Sequence, residues 1–422
     1  MVLMTKKSSN KASFYKSLLI AHVRHYGAVS RTQLGQSTHI RMSVVTALIR
    51  DLIERGILVE SGRSVAGRGR KQILLSLNGR HGFVVGIEFD LDHMIAVGVD
   101  VCGNVVAKRS MAMPAQKTNA AIVKELMALT ESVIRESGYE KSALKGIGVA
   151  DPGIVDSKEG VALLCSLMPE WRNVPLRRLV ESHFAVPVLL DENTRAKTLC
   201  EHRRGAGQGF QHLLLIDVGS GIGCGMIMDG QLYRGHTNMA GELGHVRVVE
   251  NGPICNCGSS GCLETVASYP AIIRQVTKAL QDGAQSMIAE LAGHRLEAIS
   301  MATVFEAAGH GDKLALGLLD QATRYLGQAV ANAVNLFNPE VVLLDKSMAG
   351  AENLMVTPIR QIIHRQVIAM AGNTPEVRVA QIGAEAAAWG AAMLMLDQLF
   401  DSPVKGAAPW APLKANAALK SL

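Results

Sequence analysis

Three of the seven cysteines in this 422-residue chain, Cys255, Cys257 and Cys262, fall within eight residues, and His245 stands ten residues before the first of them. One imidazole and three thiolates make a closed, four-ligand set. That is the pattern of a structural zinc site, since a catalytic zinc keeps one position open. Gly258 and Gly261 allow the tight turn between the ligands. The segment is therefore expected to fold as a loop stapled to itself, whatever its helix or strand propensity. Cys102, Cys165, Cys200 and Cys224 are dispersed. The odd total argues against a disulfide framework, and these four read as small buried apolar residues.

The length predicts two or three domains, and charge separates the first from the rest. Residues 1–80 hold fourteen Lys or Arg against three Asp or Glu, a net of +11, whereas the whole chain carries +6. A basic module on a mildly acidic body suits a polyanionic partner for the first part only. Periodicity predicts a helix over 11–26, with Phe14, Leu18 and Ala21 on one side and Gly27 ending it. Ser30 is placed to cap a second helix over 31–37. A turn over 38–42 leads to a third helix, where Val45, Leu48, Ile49 and Leu52 share a face and Gly56 is the stop. Two β-like runs, 57–60 and 73–78, flank a basic loop.

That order, with its two-stranded wing, is a winged helix-turn-helix. Such a module offers the start of its recognition helix to base edges. Here these residues are Arg41, Met42, Ser43 and Thr46, with Arg50 one turn later for a phosphate. The wing adds Arg63, Arg68, Arg70 and Lys71, and Gly67 and Gly69 let the backbone approach a duplex. An Arg-Gly-Arg run suits a narrow minor groove. Double-stranded DNA is the expected partner.

Beyond residue 80, β-like runs 82–90, 95–100 and 104–111 precede a helix over 119–137, with Ile122, Leu126, Leu129 and Val133 on one face. A strand (144–150), a helix (175–183) and a strand (187–190) follow. A second block opens with a hairpin from runs 213–217 and 223–228, then becomes mostly helical with one strand near 341–345. Hairpins followed by alternating helix and strand, twice over, predict a duplicated α/β fold with a cleft between two lobes. The apolar runs are too short to span a bilayer, and the basic N-terminus lacks the apolar core of a secretory signal. Both favour the cytoplasm.

With these motifs in place, residues 80–402 resemble the ROK family, which groups bacterial sugar repressors and sugar kinases. The N-terminal module matches its repressor branch, that of the N-acetylglucosamine and xylose repressors. The resemblance implies a two-lobed, actin-like and ribonuclease H-like body over 81–402, behind the winged helix-turn-helix over 1–80, while the tail over 403–422 carries Pro, Ala and Lys without clear periodicity and is expected to be disordered. It implies one structural Zn2+ on His245, Cys255, Cys257 and Cys262. It also implies sugar contacts from Glu242, His245 and Glu264, with Gly153 lining the pocket.

Several kinase features are altered. The family carries Glu-Asn-Asp near residue 190, its Asp being the base that deprotonates the sugar. The base position reads here as Asn193, which can bind a hydroxyl but cannot take its proton. Leu167 stands where the family has an Asn. The first phosphate turn reads Glu88-Phe89-Asp90-Leu91-Asp92-His93, without glycine, and the adenine-side Gly-Gly is replaced by Asp345-Lys346-Ser347. Only the glycine-rich turn 217–223 is retained.

The expected function is therefore a non-enzymatic, DNA-binding repressor of carbohydrate metabolism. Its effector would be a sugar or sugar phosphate, and it would act as a homodimer or dimer of dimers. Two alternatives stay open: an ATP-dependent sugar kinase with a DNA-binding head, and a regulator controlled by a protein partner.

Overall fold

The computed structural model describes residues 2–63, 71–368 and 374–400. The wing residues Arg68 and Arg70, their neighbours Gly67 and Gly69, and the tail at 403–422 lie outside the described residues.

The head is built from α1 (Val2–Tyr26), β1 (Val29–Ser30), α2 (Arg31–Thr38), α3 (Met42–Glu54), β2 (Leu58–Arg63) and β3 (Ile73–Leu77). Ser30 caps α2 as expected: its side chain accepts from the Gln33 N–H, and the Gln33 side chain answers to the Ser30 N–H. Leu19, Val23, Leu34, Val45, Ile49, Leu52, Leu58 and Leu75 form its own core. Two features exceed the sequence reading. The first helix begins at Val2 rather than residue 11, and β1 joins the wing strands in a three-stranded sheet of order β1-β3-β2.

The first lobe runs through β4 (Phe83–Phe89), β5 (His93–Asp100), β6 (Val105–Ala112), α4 (Asn119–Glu136), β7 (Leu144–Asp151), β8 (Ile154–Asp156), β9 (Val161–Cys165), β10 (Met168–Val174), α5 (Leu176–Phe184) and β11 (Val188–Glu192). Its main sheet has the order β11-β7-β4-β5-β6, antiparallel from β4 to β6 and parallel from β4 to β11. Strands β8 to β10 form a small separate sheet. After α6 (Asn193–Arg204), the second lobe comprises β12 (Leu213–Val218), β13 (Ile222–Met228), β14 (Gln231–Leu232), α7 (Glu264–Ala267), α8 (Tyr269–Gln281), α9 (Met287–Leu291), α10 (Met301–Gly309), α11 (Lys313–Phe337), β15 (Val341–Leu344), α12 (Thr357–Gln366) and β16 (Glu376–Val379). Its sheet order, β14-β13-β12-β15-β16, repeats the hairpin-then-parallel plan of the first lobe. The duplicated α/β body read from the sequence is thus present. Among the described residues no helix is long and apolar enough to cross a membrane.

The chain closes on α13 (Ala386–Phe400), which returns to the first lobe. This helix is apolar all round, as a helix enclosed by protein must be, and residues 386–388 and 390–396 are buried. Its contacts are backbone to backbone. A Cβ on Gly86 of β4 would stand 1.9 Å from the Ala388 carbonyl oxygen, and one on Gly148 of β7 2.0 Å from that of Ala391. A Cβ on Gly390 would stand 1.8 Å from the Ala196 oxygen of α6. At its far end, Asp397 pairs with Arg24 of α1 at 3.0 Å and with Arg203 of α6 at 2.7 Å. One helix therefore touches head, first lobe and interlobe helix.

Candidate functional site

The metal-ligating side chains sit on the loop between β14 and α7. His245 ends a short 3-10 turn, and isolated bridges Arg247–Cys262 and Ile254–Ser260 fold the loop back on itself. Gly261 has φ +69, and a Cβ there would meet the Val249 oxygen at 1.8 Å, so the turn requires glycine. The ligand atoms of His245, Cys255, Cys257 and Cys262 all lie within 4.8 Å of one another and could hold a metal ion. The Cys255 sulfur is 3.6 Å from His245 Nδ1, and the Cys257 and Cys262 sulfurs are 3.8 Å apart. His245 Nε2 faces away, 3.9 Å from a Glu242 oxygen.

Around that second nitrogen gather the acidic groups of the interlobe cleft. Glu242 and Glu264 are half-buried, and burial raises both carboxyls, with the Glu192 charge adding to the rise at Glu242. The Glu264 carboxylate lies against the retained glycine-rich turn, 2.7 Å from where a Gly221 Cβ would be. Glu192 caps α6, accepting from the Thr194 and Arg195 N–H groups. Asn193 begins that helix, half-buried beside Glu192. Read without offset, the family's Glu-Asn-Asp matches Glu192-Asn193-Thr194, which puts Thr194 at the base position. Its hydroxyl is 3.3 Å from Asp217. Either alignment leaves no carboxylate there.

Gly153 follows the buried Asp151, whose carboxylate accepts from the Trp171 indole and the Gly153 N–H, both at 2.8 Å. Burial pushes Asp151 up to about 7. A Cβ on Gly153 would strike the Leu164 oxygen at 2.3 Å, so the contact with β9 already demands glycine there. The Asp191 carboxylate lies between Arg195 and Arg234, each 2.7 Å away. Burial alone would raise it, but the two guanidiniums hold it below the usual carboxylate range. This clamp ties α6 to the chain leading into Glu242, and Arg195 also donates to the Asn238 carbonyl. It went unread in the sequence, because Asp191 and Arg234 are far apart along the chain.

The three segments aligned with nucleotide-binding elements are joined to one another. Ser220, in the retained turn, donates to Asp90 across the cleft, 3.0 Å from both its oxygens. Lys197 of α6 reaches Asp217 at 2.6 Å and Asp345 at 3.0 Å. Burial raises Asp217 to about 7 against the pull of Lys197, while Lys197 and Ser347 overcome burial to hold Asp345 at about 2. The Glu88 carboxylate, 3.6 Å from Nε2, with Asp92 on Nδ1, pushes His93 up to about 9. A second tie to the first lobe comes from the metal loop, where the Asn256 amide donates to the Ser166 carbonyl at 3.1 Å.

In the head, Arg41, Met42, Ser43, Thr46 and Arg50 are all exposed, on the side of α3 opposite the buried Val45, Ile49 and Leu52. The Met42 side chain leans on α2, its sulfur 2.4 Å from a Cβ built on Gly35, and the Thr46 hydroxyl donates to the Met42 carbonyl. Arg63 and Lys71 are exposed at the two edges of the wing. Two of the head's three acidic residues are already engaged, Asp51 by Lys16 and Arg55 and Glu60 by Arg31.

A sequence model of the ROK family matches residues 84–398. The xylose repressor of Caldicellulosiruptor bescii is 26% identical over 397 residues, 94% of this chain and 98% of that protein. The crystal structure of a ROK family transcriptional regulator, a homologue of the E. coli MLC protein, superposes with TM-score 0.78 at 27% identity, covering 93% of this chain and 97% of its own. A ROK family glucokinase from Streptomyces griseus, solved with glucose and AMPPNP, superposes with TM-score 0.66 at 29% identity, covering 74% of this chain and 99% of its own.

Proposed function

The chain belongs to the ROK family, and from that premise we propose that it is a transcriptional repressor of carbohydrate metabolism. Its head binds a double-stranded DNA operator and its cleft binds a sugar or sugar phosphate. The observation that carries the proposal is the exposed outer face of α3, which presents Arg41 and Arg50, on a head where basic side chains pair two of the three acids. Full-length similarity to a xylose repressor supports it. Arg41, Met42, Ser43 and Thr46 meet base edges, and Arg50, Arg63, Arg68, Arg70 and Lys71 meet phosphates or the minor groove. We divide the chain at residue 80, place the protein in the cytoplasm and take it to act as a symmetric homodimer or dimer of dimers on paired half-sites.

The metal is zinc. Tetrahedral coordination with bonds of about 2.3 Å to sulfur and about 2.0 Å to nitrogen separates two sulfurs by about 3.8 Å and sulfur from nitrogen by about 3.5 Å. The Cys257–Cys262 and Cys255–His245 separations, 3.8 and 3.6 Å, agree with those spans. Zinc there supplies a cross-link. His245 binds through Nδ1, which leaves Nε2 to face a sugar hydroxyl beside Glu242 and Glu264. Asn193 and Gly153 complete the pocket.

The glucokinase likeness raises phosphoryl transfer as an alternative. The Asp90–Ser220 tie and the Lys197 triad occupy the segments that would cradle a nucleotide, which favours a protein that does not turn over ATP. Selection of bound sequences from random duplex DNA tests the main proposal. Enrichment of a palindromic site, released by one sugar of a panel, supports it. No enriched sequence, or steady sugar-dependent ATP consumption, overturns it.

A further inference from the structure

The cations of the interlobe cleft named above each face a carboxylate of the protein. Arg195 and Arg234 share Asp191, each at 2.7 Å. Lys197 lies between Asp217 at 2.6 Å and Asp345 at 3.0 Å. His93 has Asp92 at 2.6 Å and Glu88 at 3.6 Å. The acids are not matched in return. Asp90 and Glu264 are half-buried and make no ion pair among the described residues; Asp90 accepts instead from the Leu91 N–H and the Ser220 hydroxyl. Glu242 has His245 alone, at 3.9 Å, and Glu192 has Arg195 alone, also at 3.9 Å.

These acids stand where a ligand would be read. Glu242 lies against His245 Nε2, the ring nitrogen turned away from the metal set. Asp90 lies against the glycine-rich turn 217–223, the retained segment whose backbone N–H groups could meet a phosphate. There Ser220 donates to Asp90, 3.0 Å from both its oxygens, and the Gly219 N–H turns back to the Gly221 carbonyl at 3.0 Å. From the other side the Glu264 carboxylate comes within 2.7 Å of where a Gly221 Cβ would be. The turn is therefore flanked by the protein's own carboxylates.

Hydroxyls and phosphate oxygens meet such a wall differently. An ionised carboxylate only accepts hydrogen bonds, and a sugar hydroxyl can donate one. A phosphate dianion also only accepts, so beside Asp90, Glu242 or Glu264 it meets like charge with no proton to share. We propose that the effector is an unphosphorylated sugar and that the cleft rejects the phosphate ester of that same sugar. This rests on the sugar-cleft reading given above and narrows it. Asp90 guards the turn, while Glu264 serves both as a hydroxyl acceptor and as part of the repulsive wall.

Calorimetric titration of the full chain tests the inference, with xylose, glucose and N-acetylglucosamine as probes, each beside its ester (xylose 1-phosphate and the two hexose 6-phosphates). A free sugar binds, and its ester binds at least about 100-fold more weakly. Asp90→Asn keeps the size of the side chain and removes its charge, narrowing that gap by about 10-fold. Glu264→Gln narrows the gap as well, whatever it does to the sugar affinity itself. An ester that binds as tightly as its parent sugar, or more tightly, overturns this inference and leaves the sugar-cleft reading standing. So does a gap that neither variant narrows, since shape rather than charge would then exclude the ester. No binding by any probe overturns the sugar-cleft reading, and this inference with it.

Discussion

Lys197→Met tests whether the Lys197 triad holds together the segments around Asp217 and Asp345. The methionine keeps the length of the side chain and removes the charge. Lys197, Asp217 and Asp345 are 21%, 14% and 10% exposed, so the site is dry but not sealed. Breaking a buried pair by removing one partner costs about 3–5 kcal/mol, and the residual exposure favours the lower end, about 3 kcal/mol. The cost also depends on pH, and its sign is fixed. Without the ammonium, two neighbouring carboxylates share a buried site and their folded pKa values rise above the unfolded value of about 4. The deficit of the variant is therefore smallest near the unfolded pKa and grows as pH rises through the folded values. Urea unfolding followed by tryptophan fluorescence, at several pH values between 6 and 8.5 and with wild type as reference, reads this difference directly. Adding Asp217→Asn to Lys197→Met should recover much of the loss. A cost below about 0.5 kcal/mol at pH 8 would refute the reasoning. So would a deficit that shrinks as pH rises.

Three further outcomes follow from the same structure. Cys257→Ser removes one of four ligands: metal analysis should fall below one zinc per chain, with a lower melting temperature and a blunted effector response. Arg50→Ala should weaken operator binding at every sequence alike and lower the salt slope of the affinity by about 1, measured by titration at several salt concentrations. An unchanged slope would remove Arg50 from the phosphate contacts. Gly390→Ala drives a methyl into the Ala196 carbonyl of α6 and should cost about 3 kcal/mol or more in urea unfolding, whereas Gly350→Ala, with open space around it, should be nearly neutral.

What could be read in advance was what is local along the chain. The metal cluster draws all its ligands from one loop, and the Ser30–Gln33 cap spans a single turn, so spacing and residue type sufficed. Helix α6 was not read at all. Its residues are mostly polar, so no apolar stripe betrays it, yet Thr194, Arg195, Thr198 and Glu201 are buried between the lobes. The available signals were a carboxylate at Glu192 to cap it and Gly205 to end it. The small sheet β8–β10 was missed because its strands are short and one face is partly solvated. The cleft ties were beyond reach for a different reason: Asp90 meets Ser220 across 130 positions, and Lys197 meets Asp345 across 148. Pairs of that kind exist only once the two lobes are stacked.

The glycine seam under α13 gives that helix the properties of a lever. Side chains packed on side chains can absorb a small shift by changing rotamer. A helix backbone pressed against the backbones of β4, β7 and α6 has no such slack, so a shift of α6 against the first-lobe strands must be taken up by α13 as a rigid rod. Fifteen residues span about 22 Å. From the seam at 388–391 to 397–400 the arm is about 9–18 Å, so a tilt of about 5° displaces the far end by about 1 Å, enough to weaken a hydrogen bond. That end carries Asp397 and Phe400, which grip Arg24 of the first helix of the head. A shift of α6 would thus reach the head as a mechanical stroke, its size set by the length of helix beyond the seam.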